Sequence, residues 1–309
     1  MGTIHELILS HGRTEARQMV EPDDRRLVDL AATVMGAEPS ISVTYSGFCL
    51  TSLPHTRLAD DQRWEKVGLR VRLIVEPGVL PSGQATTRVY GVPFGSRARL
   101  ILLYLQTQAL RGDTPEVELG ASMRDWMRRM GVPVGGRSYQ DVRDQANRIS
   151  ACNLTFIWDT DRGARFDKDT IVKGGIQLYE CDDDSQPRLW VDTVRLSDTF
   201  FRALRKHPVP VSEPAIREIA NQSHALDAYI WLAYRLHILE RPTSVTWAAL
   251  HAQFGAAYKH VRHFKPRFYE TLKTALAVYP EAAVDISDVG IVMHPSPPPI
   301  PERRLVVGR

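Results

Sequence analysis

The chain predicts an α+β fold of two tandem winged-helix domains, with an N-terminal helix and a small β-appendage. Three observations carry this. Residues 90–158 read as helix, short strand, helix, turn, helix, strand, and the third helix is basic. The same order returns in outline after residue 213, without a residue-for-residue repeat. Between the two, Pro208 and Pro210 in HPVPVSEP make a stiff break with little room for regular structure. The predicted divisions are a peripheral helical segment over 1–40, a first winged-helix domain with its β-appendage over 41–207, a second over 208–294, and a Pro-rich basic tail over 295–309, expected to be disordered.

Each element has its own signal. Leu27, Leu30, Ala31 and Val34 fall at helical spacing, and Glu38-Pro39 ends that helix because proline restricts the residue before it. Val43, Tyr45 and 48–50 suggest a strand. Leu69, Val71, Leu73 and Val75 alternate with Arg70, Arg72 and Ile74, as a half-buried strand does, and the two strands are expected to pair as a small sheet. Ser96 is positioned to cap a helix with an apolar stripe of Ala98, Ile101, Leu102, Leu105 and Ala109, stopped at Gly112. A short strand over 116–119 follows, then a helix over 122–130 with Met123, Trp126, Met127 and Met130 inward. Gly131, Pro133, Gly135 and Gly136 force a sharp reorientation. The third helix keeps Tyr139, Val142, Ala146 and Ile149 on its inner face. Strands 152–158 and 171–179 are the expected wing, with DTDRGARFDKD at its tip, and a third strand spans 189–196. After the proline break come helices 214–220 and 226–239, a strand into helix 248–254, helix 263–277, and strands 283–286 and 290–294 as a second wing.

Composition limits the function classes. At 309 residues, 43% hydrophobic and 24% charged, the chain is ordinary globular material with room for two cores. A net charge of +3 confines any basic surface to patches. Cys49, Cys152 and Cys181 are odd in number and far apart, which fits reduced thiols better than a disulfide framework or a metal knuckle. The N-terminus lacks a signal-peptide pattern, and no apolar run approaches a membrane span. The chain reads as soluble and cytoplasmic.

Two helices carry residue types suited to DNA. The outer face of the third helix offers Arg137, Ser138, Gln140, Arg143, Asn147 and Arg148. Arg reads guanine, Asn and Gln read adenine, and Arg and Ser hold phosphates. The bland alternative is a solvated face of mixed charge, since Asp141 and Asp144 stand beside these bases. The second helix, YKHVRHFKPRFYETLK, sets Lys259, Arg262, His263, Lys265, Arg267 and Lys273 against Glu270 alone. Phe264, Phe268, Leu272 and Leu276 recur every four residues and should pack inward, leaving the bases outside. Basic side chains at a helix N-terminus oppose the macrodipole, so they make better sense beside an anion. Pro266 is tolerable near the helix start.

Other chemistry is disfavoured. No GxxxxGK[ST] run exists to cradle a nucleotide triphosphate. His260 and His263 lack further ligands nearby in sequence. Asp182, Asp183 and Asp184 could serve a metal-dependent nuclease, but three consecutive carboxylates do not readily face one ion. No catalytic residue, metal or cofactor is expected.

The runs VTYSGFCLTSLPH, YGVPFGSRARLILLYLQTQAL, SYQDVRDQANRISACNLTFIW, TVRLSDTFFRALRKHPVPV, LDAYIWLAYRLH, TSVTWAALHAQFGAAY and VRHFKPRFYETLKTALAVYP resemble the plasmid-encoded RepA replication initiators, across about residues 25–298. The partitioning ATPases that share the name require a Walker motif absent here. The resemblance implies binding to repeated sites in double-stranded DNA at a plasmid origin, opening of AT-rich DNA, recruitment of a host initiator and replicative helicase, two winged-helix domains, and a monomer–homodimer equilibrium. It assigns no site residues. An alternative on the same helices is a transcriptional autorepressor.

Overall fold

The computed structural model describes residues 2–82, 86–160, 163–173 and 193–300, with backbone alone for 160 and 163–169. These residues form a mixed α/β fold of eleven α-helices and several small sheets. They divide into two compact units, one of 2–42 with 209–300 and the other of 43–208.

The chain opens with α1 (Thr3–Met19), a 3₁₀ turn (Pro22–Asp24) and α2 (Arg25–Gly36), then enters the 43–208 unit through β1 (Ile41–Tyr45). Next is α3 (Ser46–Leu50), where strand had been expected over 48–50. Gly47 explains the turn inward. A Cβ there would lie 2.5 Å from the Tyr45 ring and 2.7 Å from that of Phe156, so only glycine lets α3 close onto this aromatic cluster. Tyr45, Phe48, Phe156 and Phe200 meet edge to face at 5.1–6.5 Å between ring centroids.

Strands β2 (Trp64–Gly68) and β3 (Val71–Glu76) follow, then a separate hairpin of β4 (Gly78–Ser82) and β5 (Thr86–Tyr90). In β3 the alternation holds: Val71, Leu73 and Val75 are buried while Arg72 is exposed. Helix α4 (Gly95–Arg111) is the centre of the unit, with residues 98–107 buried on every side. A helix apolar over most of its circumference must be surrounded. Its buried polar side chains are paired, as burial requires: Gln106 Oε1 accepts from Tyr45 N at 2.7 Å and Thr107 Oγ1 from Val43 N at 2.8 Å. The helix starts at Gly95 after Phe94, and Ser96 does not cap it.

Then come β6 (Glu116–Glu118), α5 (Met123–Arg129, capped by Ser122) and α6 (Gly136–Ala151). The strands after α6 differ from expectation. β7 (Asn153–Thr160) and β8 (Gly163–Thr170) form a hairpin that extends β2–β3 into a four-stranded sheet, in the order β2-β3-β7-β8. The expected wing strand 152–158 thus belongs to the appended sheet, and β3 pairs with β7 as well as β2. The partner of β6 is instead β10 (Thr193–Leu196), which also pairs β9 (Val172–Lys173), giving the order β6-β10-β9. Expected strand positions 174–179 and 189–192, with Cys181, Asp182, Asp183 and Asp184, lie outside the described residues. Helix α7 (Asp198–Lys206), capped by Ser197, closes the unit.

The chain returns through β11 (Pro208–Ser212) to α8 (Glu213–Glu218), α9 (Ser223–His237), β12 (Thr243–Thr246), α10 (Trp247–Phe254), α11 (Val261–Ala277), β13 (Val284–Ile286) and β14 (Gly290–Met293). The sheet order is β12-β14-β13, so first, third and second strands stand side by side as in β6-β10-β9. The core is aromatic: Phe268 stacks on Phe254 at 4.7 Å and on Phe264 at 4.8 Å, and Trp231 meets Phe254 edge to face at 5.4 Å.

Residues 2–36 are not peripheral to this unit. Helix α2 packs on α8 and α11, Ala16 and Val28 are fully buried, and the imidazole Nε2 of His5 donates to Ala277 O at 3.0 Å. Nor do 295–300 run free. Ser296 and Ile300 are buried, and Pro297 O accepts from the Tyr279 hydroxyl at 2.7 Å. The remainder of the tail, 301–309, lies outside the described residues.

Candidate nucleic-acid interface

Helix α6 begins in the open. Gly131 takes φ 69° after α5, the 133–136 loop is exposed, and nothing lies within 4 Å of where a Cβ on Gly135 or Gly136 would be. The unpaired backbone N–H groups of the first turn therefore face solvent, a position that favours anions. Arg137 and Gln140 are exposed there and Ser138 is half-buried, so these three candidates share one turn with the exposed Asp141. Val142, Ala146 and Ile149 are fully buried and fix the helix from behind.

The C-terminal half of α6 is covered. Arg143 is half-buried, and Asn147 donates from Nδ2 to the Tyr90 hydroxyl at 3.4 Å. Arg148 contradicts its expected place on the outer face, because its side chain is only 2% exposed. Its Nε donates to Asp144 at 2.8 Å, its Nη2 lies 3.1 Å from Asp60, and its Cζ stands 5.2 Å above the Phe94 ring. The Asp60 carboxyl is held below the usual range. Partial burial works the other way, and Arg57 and Arg148 outweigh it. Gln145, which sequence reasoning passed over, is buried and accepts from Phe94 N at 2.8 Å. Arg148 and Gln145 thus hold α6 against the 90–95 turn. No local pattern marks them, since the segments they grip are about fifty or more residues earlier.

Helix α11 starts two residues earlier than expected, so Pro266 sits inside its second turn and removes one backbone donor there. Lys259, Arg262, His263, Pro266 and Arg267 are all exposed. Arg262, His263 and Arg267 fall within one broad face of the helix, and Lys259 lies two residues before its start. Phe264, Phe268 and Leu272 are buried opposite. His260 and His263 touch ring edge to ring face at 5.8 Å.

Two candidates on α11 are already engaged. Lys273 is 22% exposed and pairs with Asp24, which leaves it tied to the start of α2 and off the open face. Burial would lower its pKa, but Asp24 and Glu270 overcome this and raise it. Lys265 donates from Nζ to the Asp288 backbone oxygen and to Asp288 Oδ1, each at 3.0 Å, and lies 5.5 Å above the Trp247 ring. Neither Trp247 nor Asp288 was singled out from sequence as part of a site. The exposed set is therefore Arg137, Ser138 and Gln140 on α6, with Arg143 half-buried at its edge, Arg262, His263 and Arg267 on α11, and Lys259 just before it.

Among the described residues there is no group of three or more His, Cys, Asp or Glu side chains placed to hold a metal ion. Among the described residues no helix is long and apolar enough to cross a membrane. Cys49 and Cys152 are free and buried, and burial pushes the Cys152 thiol up to about 12, out of nucleophilic range.

Two crystal structures of domains 2 and 3 of RctB are similar to this chain. One, of selenomethionine derivatives, matches with TM-score 0.48 and 13% identity over 74% of this chain and 83% of that one. The other matches with TM-score 0.47 and 14% identity over 79% and 93%. No curated protein matches in sequence. The sequence profile described as plasmid encoded RepA protein matches residues 92–248, a little over half of the chain. That stretch runs from the turn gripped by Arg148, through α6, to the start of α10, and on this match the chain belongs to the plasmid-encoded RepA family of replication initiators.

Proposed function

We propose that this initiator binds repeated sites in double-stranded DNA at a plasmid origin through two winged helices, one built on α4, β6, α5, α6, β9 and β10 and the other on α9 to α11 with β12 to β14. The observation that carries the reading is shared by both units. Each runs helix, strand, helix, helix and then two strands of the same sheet, which in the 43–208 unit come after the β7–β8 hairpin, and each sheet has the order first, third, second strand. In each, the third helix has an exposed N-terminal half bearing Arg. A helix so presented suits a major groove, with flanking cations on phosphates. Opening of adjacent AT-rich DNA, recruitment of a host initiator and helicase, and a monomer–homodimer equilibrium are part of the same proposal and rest on family membership.

The test is fluorescence anisotropy with duplex DNA from the region flanking the gene, against a shuffled duplex of equal length. The native chain should prefer the flanking DNA, with affinity falling steeply as salt rises. A variant with Arg137, Gln140, Arg262 and Arg267 all changed to Ala should bind at least about 100-fold more weakly, and its salt slope should flatten by about 3, roughly one per lost phosphate contact. Unchanged affinity and slope would sink the assignment of these helices.

A further inference from the structure

The turn between β13 and β14 carries a negative charge onto the basic face of its own unit. The turn is pinned by its backbone: Trp247 N donates to Val289 O at 3.2 Å and Trp247 Nε1 to Ser287 O at 3.0 Å. The side chains of Asp288 and Val289 project from this anchored turn, Asp288 fully exposed and Val289 78% exposed. The Asp288 carboxylate meets Lys265 at 3.0 Å. Lys265 stands three residues, about one helical turn, from the exposed Arg262.

An ammonium group has three donors. Here it reaches the Asp288 carbonyl and carboxylate, with the Trp247 ring below it. Lys265, half-buried beside the exposed Arg262, thus already has its charge matched by a carboxylate. The carboxylate is bathed in solvent, and an exposed pair of this kind is worth little. A phosphate that Arg262, one turn away, also reaches can therefore replace it.

We propose that Asp288 is an intramolecular anion that occupies Lys265 until a DNA phosphate displaces it, and so sets the affinity and salt dependence of duplex binding. This rests on reading α11 as a DNA-contacting helix. The wing turn need not move for the exchange, because its carbonyl contacts to Lys265 and Trp247 do not involve the carboxylate.

The experiment is anisotropy titration of the full chain with origin-flanking and shuffled duplexes, for the native protein, Asp288→Asn, Lys265→Ala and the double variant. Asp288→Asn keeps the backbone contact, so its thermal midpoint should match the native one. It should bind both duplexes about threefold to tenfold more tightly, and its slope of log K against log salt should steepen by about 0.9, one freed lysine. In the Lys265→Ala background the same change should give less than half that gain. The proposal is overturned if Asp288→Asn binds no more tightly. It is equally overturned if the gain is undiminished without Lys265, because the carboxylate then acts only by repelling DNA directly. If the native chain and all variants bind neither duplex, the DNA reading of α11 fails, and the exchange with it.

Discussion

Arg148 and Arg137 lie on α6 eleven residues apart, about three full turns, and so project from nearly the same side of the helix. One is exposed and the other 2% exposed. The difference comes from Asp60, Val92 and Phe94, which close over the C-terminal half of the helix and leave its first turn open. A buried guanidinium needs partners, and here it has two carboxylates, a carbonyl and a ring. Replacing Arg148 with Ala should take the cation from Asp144 and leave Asp60 with Arg57 alone. Both carboxylates keep more than a third of their side-chain exposure. Water can therefore solvate them in part, and the cost should fall at or below the lower end of the 3–5 kcal/mol for breaking a buried pair, about 2–3 kcal/mol. Urea denaturation reads it directly; a loss below about 0.5 kcal/mol would show that the cluster contributes nothing to holding α6.

The same contrast recurs at the scale of a helix in α11. Arg262 and Lys273 are again eleven residues apart, and again the second is covered, by Asp24 at the start of α2. Helical periodicity in the sequence correctly gave the inner faces of both helices. It could not say how far along each helix the outer face stays free, because the covering segments are remote in sequence. The C-terminal end of α11 is closed by His5, whose Nε2–H satisfies the Ala277 carbonyl left over by the helix. Its Nδ1 is buried without a partner, so the neutral ring is preferred. Burial is the main cause of its lowered pKa. Above the ordinary value near 6.5 the ring is neutral folded or unfolded, and pH does nothing. Below it the unfolded chain takes up a proton that the folded one refuses, so stability falls as pH drops from about 6.5 toward 5. Thermal melts across this range should show the fall, and His5→Gln, which keeps a donor, should reduce it. An identical pH dependence in the variant would exclude His5 as its source.

For the whole molecule, the largest departure from the linear reading is the place of residues 2–36. They look detachable, yet α2 packs on α8 and α11, and Asp29 is gripped by Arg13 and Arg17 of α1. The chain leaves this unit at residue 42 and re-enters it at 209. Deleting 2–36 should therefore destabilise the unit carrying α11, lowering the thermal midpoint of its transition by about 10 °C or more, since it removes several buried Leu, Val and Ala side chains at about 1–3 kcal/mol each. Limited proteolysis checks this: cleavage within 209–300 should accelerate while cleavage within 43–208 does not. Equal resistance in both units after the deletion would make the segment an accessory.

The sequence by itself determined the long helices, most of their inner faces and the family, because these depend on neighbours within a few residues or on long shared runs. The tertiary structure alone decided that β7 joins β3 and that β9 and β10 serve β6. It alone decided that Arg148 is buried, that Lys273 is covered by Asp24 and that Lys265 is held by Asp288. Each of these is a pairing across a long loop. Strand partners and ion-pair partners are chosen by which surfaces the fold brings together, and periodicity within one segment carries no record of that choice.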